Sequence, residues 1–215
     1  DPSATAAKKD TKKVVGQSSL TLLILTIVIT AARAWMHGGM INYLPEWLQS
    51  SGLSTEMAGS YLAILLAMIS VGSFIGGPLS DRLGRIPVVI ASFLFVGPTF
   101  WLFLHQSGIT QMLIIGVVGF FLGISFPITI VMGQAAWPHG VGLASSLVMG
   151  LGWLPFGIGS WVIGRLADQT SLTSALGTLV FVPLVALVAA ILAEVYSMRM
   201  KRNSVQNIRS LDKNM

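Results

Sequence analysis

The chain contains no cysteine. Disulfide scaffolds, thiolate metal sites and thiol nucleophiles are therefore excluded. Charge is scarce as well. Asp, Glu, Lys and Arg make up 10 % of the 215 residues, against roughly 25 % in an ordinary soluble domain. Within the long apolar runs the only carboxylate is Glu194, close to the end of the last run. There is no paired-carboxylate site, no H-E-x-x-H and no phosphate-binding G-x-x-x-x-G-K-[ST]. His37, His105 and His139 are spread over different ends of the apolar runs and do not converge on a metal. No enzyme chemistry, cofactor or metal is expected.

What is abundant is apolar. Such residues make up 53 % of the chain, and the mean hydropathy is +0.78. A soluble core of this size cannot hide that much apolar surface, whereas lipid can. A helix needs about 20 apolar residues to cross the hydrocarbon layer. Six stretches qualify, over 18–44, 57–79, 86–105, 110–133, 141–165 and 174–197. Pro45 and Glu46 are expected to end the first, and Ser54 with Glu56 to start the second. Asp81 to Arg85 separates the second from the third, and Gln106-Ser107-Gly108 is a turn signal. Pro138-His139-Gly140 opens the fifth, and Asp168 to Thr173 leads into the sixth. The fold class expected is an all-α membrane protein of six transmembrane helices.

An even number of spans puts both ends on one side, and Lys and Arg choose that side. The lead holds Lys8, Lys9, Lys12 and Lys13, the second loop Arg82 and Arg85, and the tail Arg199, Lys201, Arg202, Arg209 and Lys213. These eleven fall on one side, against Arg165 alone on the other. Both termini are therefore expected in the cytoplasm. Residues 1–17 read as a cytoplasmic basic linker, 18–198 as the transmembrane bundle and 199–215 as a cytoplasmic basic tail. The linker is expected to be a piece of something longer or a processed terminus. Topology and anionic lipid account for the net charge of +5, so nucleic acid is not an expected partner.

The sequence repeats. Gly72-Ser73-Phe74-Ile75-Gly76-Gly77-Pro78-Leu79-Ser80-Asp81 ends the second span. Gly159-Ser160-Trp161-Val162-Ile163-Gly164-Arg165-Leu166-Ala167-Asp168 ends the fifth. Gly164 and Asp168 thus repeat Gly77 and Asp81. The two spans run in opposite directions, so the expected units are two inverted three-helix repeats.

The loop Gly77-Pro78-Leu79-Ser80-Asp81-Arg82-Leu83-Gly84-Arg85 resembles the G-x-L-[AS]-D-R-x-G-R signature of the major facilitator superfamily. Gly77 would let helices approach closely, and Asp81 would accept hydrogen bonds from a neighbouring helix N-terminus. Arg82 and Arg85 would pair with carboxylates or lipid phosphate. Further likeness lies in Arg33, Tyr43-Leu44-Pro45, Gln134 and Pro138 to Gly142, then Gly142 through Asp168. Over residues 18–197 the chain is similar to the second half of the fosmidomycin-resistance group of drug exporters. That family has twelve spans and this chain six. The resemblance therefore implies half of a major facilitator fold, with Gly77, Asp81, Arg82, Gly84 and Arg85 as a conformational-gating motif.

Arg33 is the costliest residue in a span. It lies about 22 Å along the first one at 1.5 Å per residue, beyond the expected midplane. Such a guanidinium faces the bundle interior or a wet cavity, or snorkels to the outer interface. His37 follows at i+4 on the same face. The pair can bind an anionic substrate group and sense protons, or hold a structural network. Tyr61, Ser70, Ser125, Thr129 and Gln134 are weaker cavity-lining candidates that also fit simple packing. Trp153 with Pro155 is a candidate break in the fifth span that lines a site. The stripes Gly116, Gly119, Gly123 and Gly150, Gly157, Gly164 fit close helix crossings, static or sliding. Trp35, Trp47, Trp101 and Trp137 are accounted for by an aromatic belt.

The leading expectation is transport of a small molecule, with proton-coupled export of a drug-like or anionic compound implied by the resemblance. The setting would be a bacterial inner membrane. The expected partners are lipid, the substrate, protons and a second six-span half, as a separate chain, a severed half or a second copy. A non-transporting subunit of a larger membrane complex, or uptake of a sugar or organic acid by the same fold, are the alternatives.

Overall fold

The computed structural model describes residues 18–212. The linker expected over 1–17 lies outside the described residues. The elements are α1 (Leu20–Ser50), α2 (Thr55–Leu83), α3 (Arg85–Leu104), α4 (Gly108–Ala136), a 3-10 turn at Pro138–Gly140, α5 (Val141–Gln169), α6 (Leu172–Gly177), a 3-10 turn at Thr178–Phe181 and α7 (Val182–Asp212). Among the described residues six helical stretches are long and apolar enough to cross a membrane. The helix starts follow from their caps. The Ser19, Ser54 and Ser171 hydroxyls accept from the backbone N–H groups of Leu22, Met57 and Ser174, satisfying donors that a helix start leaves free.

Several boundaries differ from expectation. α1 does not stop at Pro45 but carries it inside and runs to Ser50. Proline is tolerated inside a membrane helix because neighbouring helices satisfy the freed carbonyl. α5 is likewise continuous through Pro155, so Trp153 marks no break. Only Gly84 separates α2 from α3, and Asp81 and Arg82 belong to the last turn of α2. The sixth crossing is broken instead. α6 gives way to a 3-10 turn and then α7, whose second residue is Pro183. A proline there has no N–H to return to Leu179, so the chain tightens before it resumes as an α-helix. The basic tail continues α7 as far as Asp212.

The packing carries the repeat. α1 and α4 occupy the middle and bury about half of their crossing residues. α2 packs chiefly on α4, and α5 chiefly on α1. α3 leans on α4, α7 on α1, and α3 and α7 on each other. Exchanging α1 with α4, α2 with α5 and α3 with α7 maps this pattern onto itself. The units α1–α3 and α4–α7 are therefore two inverted repeats.

Glycines set both main crossings. On α2 a Cβ at Gly72 or Gly76 would strike the backbone of Phe120 or Ile124 on α4. In return, a Cβ at Gly119 or Gly123 would strike the carbonyls of Leu65 and Ile69. The Ser73 hydroxyl donates across the same crossing to the Gly123 carbonyl at 3.1 Å. In the α1–α5 crossing Gly38 faces the Phe156 carbonyl and Gly159 faces the Trp35 ring. There Asn42 Nδ2 donates to the Ser160 hydroxyl at 2.8 Å. Gly77, expected to allow close approach, faces open space, and Gly76 does that work instead. Gly150 and Gly157 also face open space, whereas Gly164 meets the Tyr43 ring, so these three do not form one packed stripe. Trp47 is not a belt residue. It is buried, and its Nε1 donates to Thr173 Oγ1 at 2.9 Å.

Candidate functional site

α1 has 31 residues, or about 46 Å at 1.5 Å per residue. Its extension past Pro45 leaves Arg33 near the middle of the helix rather than beyond it. Arg33 does not snorkel, since only 1 % of its surface is exposed. Its guanidinium carbon lies 4.6 Å from the centre of the Phe126 ring on α4 and 4.9 Å from that of Trp153 on α5. Cations are attracted to such ring faces. The two central helices α1 and α4 and the outer helix α5 thus meet at one side chain.

His37 joins from the next turn of α1. Its ring meets Trp153 edge-on at 5.9 Å and Phe156 at 6.0 Å between centroids. Phe126 and Phe156 each stand 6.0 Å from Trp153. Four buried nitrogens in this cluster have no hydrogen-bond partner among the described residues: Arg33 Nε and Nη2, His37 Nδ1 and Trp153 Nε1. Buried polar groups are ordinarily satisfied, and each exception calls for an explanation. Here four exceptions share one place.

Of the residues expected to line a substrate site, the structure brings Arg33, His37 and Trp153 together. Gln134 lies two helical turns along α4 from Phe126, towards the basic end, where its Nε2 donates to the Ser145 hydroxyl on α5 at 3.0 Å. Tyr61 stands apart. Its buried hydroxyl donates to the Gly108 carbonyl at 2.9 Å and also contacts Gln111 Oε1 at 3.3 Å, and its ring packs on Phe103. We expect Tyr61→Phe to lower stability by about 1 kcal/mol for the lost hydrogen bonding and to leave substrate handling unchanged. Chemical denaturation beside a transport assay checks both halves of that statement. Ser70, Ser125 and Thr129 donate to carbonyls of their own helices. Phe126 and Phe156 are additions that single-residue reasoning did not reach. Phe156 stands three residues after Trp153 on the same helix, whereas Phe126 comes from α4 and left no such trace in the sequence.

The loop motif sits at the basic end. Gly84 has φ +92°, a backbone region that favours glycine, and this single residue turns α2 into α3. Asp81, Arg82 and Arg85 are exposed. Asp81 and Arg85 line a crevice of about 680 Å3 with Ser80, Thr26, Ser197 and the half-buried Glu194. The expected hydrogen bonds from a helix N-terminus to Asp81 are not formed among the described residues. The repeat residue Asp168 ends up in the last turn of α5, at the opposite end of the bundle.

Six apolar helices in two inverted repeats, among the described residues, define an integral, multi-pass membrane protein. A family model described as Major Facilitator Superfamily matches residues 18–212, and the chain belongs to that family. It is 30 % identical over 179 residues to the fosmidomycin resistance protein of Escherichia coli K12, covering 81 % of this chain and 43 % of that protein. It is 29 % identical over 140 residues to an uncharacterized MFS-type transporter, YfnC, of Bacillus subtilis 168, covering 65 % of this chain and 34 % of that one. The Escherichia coli fucose:proton symporter superposes with a TM-score of 0.71 at 16 % identity, over 80 % of this chain and 42 % of that one. A structure of FucP in the outward conformation gives 0.68 at 17 % identity over the same shares. These two likenesses concern the fold alone. The chain spans less than half the length of the relatives it matches.

Proposed function

We propose that this chain works with a second six-span half as a secondary transporter that exports a drug-like or anionic small molecule against proton entry. The observation that carries the reading is the cluster at Arg33. A buried cation with unpaired nitrogens at mid-bundle, walled by aromatic rings, suits a transient anionic guest better than a permanent structural bond. The named relative, a fosmidomycin resistance protein, supports export as the direction. The cavity would lie between the two halves near the midplane, with access alternating as one half rocks against the other. Arg33, His37 and Trp153 would hold the cargo, and Gln134 would stand on its path towards the cytoplasm. The eleven basic residues of the lead, loop and tail would keep both termini cytoplasmic, in a bacterial inner membrane. Gly77, Asp81, Arg82, Gly84 and Arg85 would form the gating loop. With Glu194 near the basic end, His37 is the titrating group in this chain best placed to couple protons.

The test is resistance to fosmidomycin in cells that express the chain together with the six-span polypeptide that co-purifies with it. Resistance is expected to rise with both present and to return to baseline with Arg33→Ala at equal membrane abundance. Full resistance with Arg33→Ala overturns the role of Arg33. No co-purifying six-span partner, and no activity of the chain alone, overturns the transport reading.

A further inference from the structure

We propose that α7 is a hinged arm, which swings away from α1 on a joint at residues 178–183 and so opens the groove and the crevice between the two helices. The motion lies inside this half, in addition to any rocking of two halves, and needs no partner.

The joint is built from local chemistry. α6 ends at Gly177, a 3-10 turn covers Thr178–Phe181, and α7 starts at Val182. Such a turn inside a crossing marks a hinge or a strained stretch. The Val182 N–H returns to the Leu179 carbonyl, three residues back, and Pro183 has no N–H to donate. The helical ladder is therefore already open where the arm bends. Both neighbours seat the joint. Leu179 fills the space left by Gly39 on α1, where a Cβ would stand 2.8 Å from it, and the Val180 carbonyl lies against Gly97 of α3.

The crossing is held differently on its two sides. On the α6 side, Trp47 of α1 donates to Thr173 at 2.9 Å, and Ala175 and Leu176 are wholly buried. Past Pro183, the residues that α7 buries as far as Met200 are four alanines, Ala186, Ala189, Ala190 and Ala193. A methyl group buries less apolar area than a leucine side chain and loses less on separation. Open space flanks the same stretch. Leu25 and Val28 of α1 and Leu184, Val188 and Leu192 of α7 line an aliphatic groove of about 420 Å3. One turn nearer the basic end, Leu22 and Thr26 of α1 and Glu194 and Ser197 of α7 line the crevice of about 680 Å3. Groove and crevice thus share two walls, and moving α7 enlarges both.

The chain has no cysteine of its own, so two introduced cysteines carry the only spin labels. The inner pair is Thr21→Cys with Met198→Cys and the outer pair Ser50→Cys with Ser174→Cys, all at exposed positions. Their distances are read by double electron–electron resonance on the purified full-length chain in lipid nanodiscs. Met198 stands about 24 Å past Val182 at 1.5 Å per residue. A bend of about 20°, where a kink counts as sharp, displaces it by about 8 Å. The inner pair is expected to spread over about 8 Å, and the outer pair to give a single narrow distance. Pro183→Ala, verified as helical by circular dichroism, returns an N–H to the ladder and is expected to narrow the inner spread about twofold. An inner distance as narrow as the outer one overturns the hinge. Equally broad distances in both pairs mean that the whole crossing moves as one body, and they overturn it too. An inner spread untouched by Pro183→Ala overturns the joint at 178–183. Each of these failures leaves the transport reading standing, since the resistance assay tests that reading separately.

Discussion

Gly123→Ala is expected to lower the thermal unfolding midpoint sharply, while Gly150→Ala leaves it unchanged or raises it. The two substitutions add the same methyl group to glycines inside membrane-crossing helices. At Gly123 the methyl meets the carbonyl of Ile69, and Gly72 meets the carbonyl of Phe120 in the same way from the other side. The obstacle is backbone, which cannot swing aside as a side-chain tip can. Accepting the methyl means pushing α2 away from α4 along the crossing that holds the most extensive contact in the molecule. The loss spreads over Gly76, Gly119 and the bond from Ser73 to the Gly123 carbonyl. Overpacking costs about 1–3 kcal/mol and sometimes more, and we place Gly123→Ala at about 3 kcal/mol because the clash is with main chain. At Gly150 nothing lies within reach of the methyl, and alanine is better than glycine in a helix by about 1 kcal/mol. Circular dichroism melts of both variants in one detergent decide the matter. Equal midpoints would mean that the crossing is looser than the structure has it.

The helices and their inversion were legible because the signals are strong and physical. Lipid demands a run of about 20 apolar residues, and such runs are hard to miss. The spaced glycines, serines and aspartates at 72–81 and 159–168 marked helices whose packing does interchange in the fold. Boundaries were less legible where proline was involved. Pro45 and Pro155 read as breaks, yet lie within continuous helices, because in a bundle the tertiary surroundings absorb the missing hydrogen bond. The break that does occur, before Pro183, hid inside a uniformly apolar stretch.

The candidate site was half visible. Arg33 announces itself by cost, and His37 by its spacing from Arg33. Trp153 came into view for a different reason, as a suspected helix break, and reached the cluster by packing. Phe126 and Phe156 could not be chosen from ten phenylalanines, since only the crossing of α1, α4 and α5 brings them to the guanidinium. Tyr61 shows the converse. A hydroxyl in a span reads as a cavity residue until its partners, Gly108 and Gln111, turn out to lie at the far end of the bundle. Gly77 taught the same lesson by one residue, because helix phase decides which of two adjacent glycines faces a neighbour.

Arg33→Met is expected to make the protein more stable and inactive. Methionine is unbranched and adaptable, so it can fill the space between Phe126 and Trp153 and keep contact with both rings. What it removes is a charge that is almost wholly buried and has two nitrogens without acceptors. A mid-membrane arginine costs about 3 kcal/mol on insertion scales, and each unsatisfied buried donor about 1–3 kcal/mol more. Against this stand two cation–π contacts of about 1 kcal/mol each. The sum favours methionine, and replacing a buried ionic group by an apolar one has gained about 1–4 kcal/mol elsewhere. Function should respond in the opposite direction, with partner-dependent resistance falling to baseline because the cargo loses its counter-charge. The stability gain is what distinguishes a binding residue from a structural one. If Arg33 held the bundle together, methionine would lower the midpoint, and any loss of transport would follow from misfolding. A raised midpoint with normal transport would move the search for the anion site elsewhere. The predicted pair, a higher melt and no transport in one variant, means that the fold carries this arginine at a cost that only the guest offsets.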